Sequence, residues 1–243
     1  MDSVRILIVN ADDFGLSAGI NAGIVEAHRS GIVTSTSLMV RQPAAAAAAD
    51  LARDCPGLSV GLHIDLCEWV FGDAGWSPSY EVVPLDDAVA VEREVLSQFA
   101  RFTELTGRQP SHVDSHQHVH QEEPLRSILR RHAHARGLVL RGATPPVRYC
   151  GDFYGQSAKG EPYPEGITVQ QLCRIVGELP EGVTELGCHP GAATDFDSVY
   201  RGERLAELRS LCDPSVRAAV QRNGVELCGF SDARLQGFVA AAR

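Results

Sequence analysis

Val4-Arg5-Ile6-Leu7-Ile8-Val9-Asn10-Ala11-Asp12-Asp13-Phe14-Gly15 is the stretch whose reading decides the fold. Val4–Ala11 is apolar over the length of one strand, and the polar side chains Asn10, Asp12 and Asp13 gather at its end. Ser17 then stands where a helix cap belongs, ahead of a helical segment over Ser17–Ser30, and Ile32–Val40 is apolar again. Strand, helix, strand is a βαβ unit.

The rhythm continues along the chain. A helix is expected through the alanine run from Ala44 to Arg53, then a strand at Leu58–Leu66, a helix over Leu85–Gly107 and a strand at Ser111–Ser115. Further units follow: a helix over Glu123–Arg136, a strand at Leu138–Arg141, a helix at Val169–Glu178, a strand at Val183–His189, helices across Arg201–Asn223 and a strand at Val225–Gly229. Such repetition requires a parallel sheet with helices outside it. Asn10–Asp13, His63–Asp65, Asp114–His116 and His189 all fall at strand ends, and a barrel brings strand ends from its whole circumference to one mouth, whereas an open sheet uses one switch point. The expected fold is an α/β (β/α) barrel of about seven parallel strands, with residues 1–243 forming one domain. Two long connectors, Cys67–Pro84 and Gly142–Thr168, carry Trp69, Phe71, Trp76, Tyr80, Tyr149, Phe153, Tyr154 and Tyr163, and are expected to line a substrate with aromatic faces.

The bulk properties narrow the function. Hydrophobic residues make up 44% and charged residues 22%, so a full core forms without disulfides. A net charge of −9 opposes the clustered positive field that nucleic acid requires, and no apolar run is long enough to cross a bilayer. Met1–Arg5 lead straight into a strand rather than a signal-peptide core, so the expected location is cytoplasmic. The seven cysteines have no C-x-x-C pair and are expected to be reduced and mostly buried; only Cys188, beside His189, is a candidate for more.

Four places carry chemistry. Asp12 and Asp13 are adjacent acids at the end of an apolar strand, where mutual repulsion calls for a cation or a raised pKa, and Gly15 supplies a tight turn behind them. His63 lies in an otherwise apolar strand and needs a partner for each ring nitrogen. His112-Val113-Asp114-Ser115-His116-Gln117-His118-Val119-His120 holds four histidines in nine residues; period two puts His112, Asp114 and His116 on one face, with His112 read as the start of the strand and the roles of His118 and His120 left open. His189, fixed ahead of Pro190-Gly191, can act as a general acid or as a donor to an oxyanion. Arg141, Arg148 and Phe14 are the expected substrate contacts.

Together, Leu7–Gly15, Gly31–Ser37, Gly61-Leu62-His63, His112–His120 and Cys188-His189-Pro190-Gly191 resemble the YdjC-type carbohydrate deacetylases, in the family's order from residue 7 to residue 191. The resemblance implies a distorted (β/α) barrel, a divalent metal held by Asp13, His63 and His116, Asp12 as base and His189 as acid. It also implies a small N-acetylated sugar as substrate and a homo-oligomer. Zinc or magnesium suits the donor set, with manganese or cobalt as alternatives. Gln117 departs from the pattern, standing where many relatives carry a further histidine. Two other readings compete: a metal-dependent phosphoesterase in a similar barrel, and a carbohydrate-binding protein without chemistry.

Overall fold

The computed structural model describes residues 4–72, 75–196, 198 and 200–235; the ends of the expected 1–243 domain lie outside the described residues. In chain order the elements are β1 (Arg5–Phe14), α1 (Ala18–Ser30), β2 (Ser35–Leu38), α2 (Ala45–Arg53), β3 (Ser59–Ile64), β4 (Cys67–Gly72), β5 (Gly75–Glu81) and α3 (Ala88–Thr106). They continue with β6 (His112–Ser115), a 3-10 turn over His116–Gln121, α4 (Leu125–Arg136), β7 (Val139–Leu140), β8 (Val147–Cys150), a second 3-10 turn over Pro164–Ile167, α5 (Val169–Glu178), β9 (Gly182–Cys188), α6 (Gly202–Leu211), α7 (Pro214–Arg222) and β10 (Val225–Leu227).

Seven strands run parallel in the order β7-β6-β3-β2-β1-β9-β8, a nearly closed barrel with β1 near its middle, and β10 pairs off this path with the first residues of β1. The strand number matches the expectation, but the membership differs. The expected strand at Val225–Gly229 sits off the path, and its place is taken by β8, which lies inside the Gly142–Thr168 connector. Four residues of mixed polarity beside Pro145-Pro146 give β8 little strand signal of its own; pairing with the buried β9 makes it a strand. The other connector, Cys67–Pro84, holds the antiparallel hairpin β4–β5.

The helices begin where local chemistry lets them. Ser17 accepts from Ile20 N at the head of α1, Asp87 from Val89 N and Ala90 N at the head of α3, and Thr168 from Gln171 N at the head of α5. Each turns an apolar stripe inward, for example Leu172, Ile175 and Val176 on α5. The core they cover includes Leu7, Val9, Leu62, Val113 and Leu186 from the strands, all buried. Asp12, Asp13 and Asp114 stand at strand tips, whereas Glu185 lies inside β9, where Arg141 pairs with it. Among the described residues no helix is long and apolar enough to cross a membrane. All seven cysteines are free. Burial, followed by the nearby Glu207 carboxylate, pushes the Cys188 thiol well up, and the thiol donates to Asn10 O, so it is no nucleophile.

Candidate metal and proton-transfer site

Register builds the site. Residues paired across parallel strands share a face, and His63 on β3 pairs with Asp114 on β6. His63 Nδ1 therefore meets Asp114 Oδ1 at 2.7 Å, and its Nε2 is turned toward the barrel mouth, 3.3 Å from Asp13 Oδ1. The strand β6 stops at Ser115, and the turn that follows carries His116 Nδ1 to 3.1 Å from the same Asp13 oxygen.

The two adjacent acids reach the site by different routes. Strict alternation would send Asp12 and Asp13 to opposite faces of β1. Asp13 instead takes a left-handed backbone (φ 69°), and the β1–β2 register shifts between Ala11 and Phe14, so both carboxylates come to the mouth. A non-glycine residue held this way is strained, and such strain concentrates at functional positions. Gly15, also left-handed (φ 97°), completes the turn; a Cβ there would lie 3.0 Å from Met39 O.

Each acid has its own arginine. Arg141, at the end of β7 and almost fully buried, grips Asp12 with two parallel bonds of 2.6 and 2.7 Å, and also reaches Asp114 (2.8 Å) and Glu185 (2.7 Å). Against the cost of burial, Arg141 holds the Asp12 carboxyl below its ordinary range, and Asp114 likewise. Glu185 has the weaker share of Arg141, and burial pushes its carboxyl up to about 7. Arg204 on α6 holds the second oxygen of Asp13 at 2.5 Å; it overcomes burial, with His116, to keep Asp13 well below the carboxylate range. On the far side of Asp12 stands His189, its Nε2 3.8 Å from Asp12 Oδ2 and its Nδ1 3.8 Å from Glu207 Oε1. Burial lowers His189 to about 4 despite Asp12, so its imidazole is neutral at pH 7.

Asp13, His63 and His116 present donor atoms within 4.8 Å of one another. The set fits a divalent cation on two counts. One carboxylate and two imidazoles are ordinary ligands for such an ion, and the Asp114 carboxylate behind His63 fixes the tautomer that leaves Nε2 toward the ion. The carboxylates around His63, Asp114 first, outweigh its burial and raise it to about 10, so this position demands a positive charge. Asp12, His63 and Asp114 form a second such group. Arg141 already bonds both of its carboxylates, so its need for charge is met by a guanidinium.

The site opens into a cavity of about 600 Å³ lined by Asp12, Asp13, His63, His116 and His189 below and by Trp69, Phe71, Trp76, Tyr149 and Tyr154 around it. Gln117, in a left-handed backbone, pins the β4–β5 hairpin to this rim: its side chain accepts from Trp69 N (2.8 Å) and donates to Trp69 O (2.9 Å).

The five residues read as chemical from the sequence are thus brought together. The three expected substrate contacts are placed elsewhere, and each placement corrects the expectation. Phe14 is fully buried in the core, because the bulge after Ala11 turns it inward. Arg148 points away along β8 and donates to Glu181 O. Arg141 lies beneath the cavity floor, spent on three carboxylates. His112 is a packing residue stacked on Phe230 at 3.9 Å, and His120 is a buried bridge from Ser115 Oγ to Arg141 O. Sequence reasoning missed Arg204, Glu207 and Glu185. Glu185, an acid inside an apolar strand, carried a signal; Arg204 and Glu207 read like any exposed helix face.

The fold is a nearly closed α/β barrel of parallel strands, and its mouth carries a candidate Asp-His-His donor set. Within that class, residues 6–222 match the family described as YdjC-like protein, and the chain belongs to that family. Among curated relatives, a protein named chitooligosaccharide deacetylase from Salmonella schwarzengrund is 36% identical, the alignment covering 94% of this chain and 99% of the relative. Two solved structures show the same fold. One, a candidate cellobiose-phosphate cleavage protein from Enterococcus faecalis, has a TM-score of 0.75 at 24% identity, with 94% of this chain and 98% of the other covered. The other, a family 4 carbohydrate esterase from Streptomyces lividans in complex with acetate, has a TM-score of 0.54 at 14% identity, covering 93% and 91%.

Proposed function

We propose that this protein is a metal-dependent hydrolase that removes the acetyl group from an N-acetylated sugar or short oligosaccharide, releasing acetate and a free amine. The observation that carries the reading is the convergence of Asp13, His63 and His116 beside the Asp12–His189 pair on the floor of one aromatic-walled cavity. The name of the Salmonella relative supports the acetylated oligosaccharide as the substrate class.

A divalent ion held by Asp13, His63 and His116, zinc or magnesium first and manganese or cobalt as alternatives, would supply Lewis-acid polarisation of the acetyl carbonyl. The protein's own groups handle the protons. Asp12, ionised and clamped by Arg141 in one orientation, takes a proton from the water whose oxygen attacks the carbonyl carbon. His189, neutral at rest and 3.8 Å from Asp12, takes that proton once the substrate complex closes the pair to hydrogen-bond distance and gives it to the departing nitrogen as the C–N bond breaks. Atoms balance: water and amide become acetate and amine. Arg141 and Glu207 act by holding the base and the acid, not by touching substrate.

The test is a screen for acetate release across N-acetylated sugars, with metal content measured on the same sample. Acetate release is expected from N-acetylglucosamine oligosaccharides. Asp12→Asn is expected to lower turnover about 100-fold or more with bound metal unchanged, since a general base contributes a factor of that order. Full activity in Asp12→Asn would overturn the base assignment, and phosphate release from phosphoesters without acetate release would overturn the reaction.

A further inference from the structure

Tyr149 and His118 line the cavity, yet the chemistry just described uses neither. Tyr149 is on β8, where it pairs in register with Glu185. One face of its ring lies against the Arg141 guanidinium, 4.8 Å from carbon to ring centre, so the arginine that fixes the base also seats this ring. Its hydroxyl reaches along β9 to Gly187, where a Cβ would come within 2.6 Å of the phenolic oxygen. Glycine at 187 is what makes room for the hydroxyl, two residues before His189.

His118 is the partner of that hydroxyl, its Nε2 3.3 Å from the Tyr149 oxygen. It is held there at a cost: Gln117 and His118 are consecutive non-glycine residues in left-handed backbone, at φ 49° and 55°. Its Nδ1 is buried and has no hydrogen-bond partner among the described residues. A proton on Nδ1 would be an orphaned buried donor, the rarest kind of unpaired group, whereas an unpaired acceptor is better tolerated. The proton therefore belongs on Nε2, which donates to the Tyr149 oxygen. A phenol that accepts at its oxygen keeps its own O–H for another partner. Among the described residues none stands ready to receive it.

We infer that the Tyr149 hydroxyl, oriented by His118, is a substrate-binding donor that hydrogen-bonds an oxygen of the N-acetylated ring on the leaving-group side of the cleaved bond. The hydroxyl lies beside Gly187, two residues before His189, the proposed acid for the departing amine, and this assigns it to that side. His118 is a positioning residue. The inference rests on the proposed deacetylation for its substrate, and on the geometry of the pair for its residues.

The experiment compares Tyr149→Phe, His118→Ala, His118→Gln and the Tyr149→Phe/His118→Ala double variant, by acetate-release kinetics and by calorimetric binding of an N-acetylglucosamine oligosaccharide. Tyr149→Phe keeps the ring on Arg141 and is expected to lower kcat/KM about 10-fold, the size of one lost hydrogen bond. His118→Ala should fall equally, the double variant should fall no further, and His118→Gln, whose amide can donate to the same oxygen, should recover most of the loss. Tyr149→Phe within twofold of the parent, or losses that multiply in the double variant, would overturn the inference. Should the parent release no acetate, the deacetylase reading fails on its own, and the binding arm still decides for Tyr149: unchanged sugar affinity in Tyr149→Phe overturns it.

Discussion

The floor of the cavity and its wall are built on opposite principles. The floor is made of strand tips: β3 and β6 deliver His63 and Asp114 in paired register, the irregular end of β1 delivers Asp12 and Asp13, and buried arginines bind the carboxylates into networks with little access to water. The wall is made of connectors. The β4–β5 hairpin exposes Phe71 and Trp76, whose rings meet edge to face at 5.4 Å, and a single glutamine ties it to the loop beyond β6. The contrast separates two tasks. In the proposed reaction proton transfer needs groups that do not move, and buried ion pairs with Arg141 hold Asp12 and its neighbours in place. Under the same proposal substrate choice falls to the wall, since loops tolerate variation.

Three experiments bear on that contrast. The largest effect is expected from Arg141→Met. It leaves Asp12, Asp114 and Glu185 facing one another without their shared cation, and breaking a buried ion pair from one side costs about 3–5 kcal/mol. Equilibrium denaturation in urea measures it, and a loss under about 1 kcal/mol would show that the floor does not depend on this hub.

An intermediate effect follows from pH. Burial lowers His112, His118, His120 and His189 to about 4 from an ordinary value near 6.5. Between those values the unfolded chain binds protons at these four positions that the folded protein does not, so stability falls as pH falls through the window. Glu185 and Glu207, raised to about 7, act oppositely over part of it, because the folded protein binds their protons first, but they are two against four. The melting temperature of metal-free protein should therefore drop from pH 6.5 to pH 4. A flat profile in calorimetry would mean that the floor is wetter than its geometry indicates.

The smallest effect is expected in the wall. Gln117→Ala removes both bonds to the Trp69 backbone, at an exposed position where their net worth is about 1 kcal/mol or less. KM for the oligosaccharide should rise a few-fold, with kcat and metal content unchanged. A fall in kcat instead would erase the division between floor and wall.

The same division governs what could be read in the chain. The strands of the floor were legible because burial on both faces forces long apolar runs, and their polar tips stand out for that reason. The wall was legible only as two aromatic connectors. Strand β8 and the hairpin take their form from pairing partners that are distant or weakly patterned, so Arg148 and Tyr149 gave no sign of which would face the cavity. Arg141 was noticed and misplaced: an arginine near a site suggests a substrate anion, and nothing local reveals three buried carboxylates waiting for it.

By itself the sequence determined the parallel barrel, six of the seven strands on its path and the five polar residues at its mouth, because periodicity and apolar run length are local properties of a chain. Only the tertiary structure decided how those residues divide. The left-handed turn at Asp13 puts two neighbouring acids into one site, Arg141 and Arg204 give each its own cation, and Tyr149 faces the cavity where Arg148 does not. The two arginine pairs join residues 129 and 191 positions apart, and long-range geometry of that kind leaves no periodic mark in the sequence.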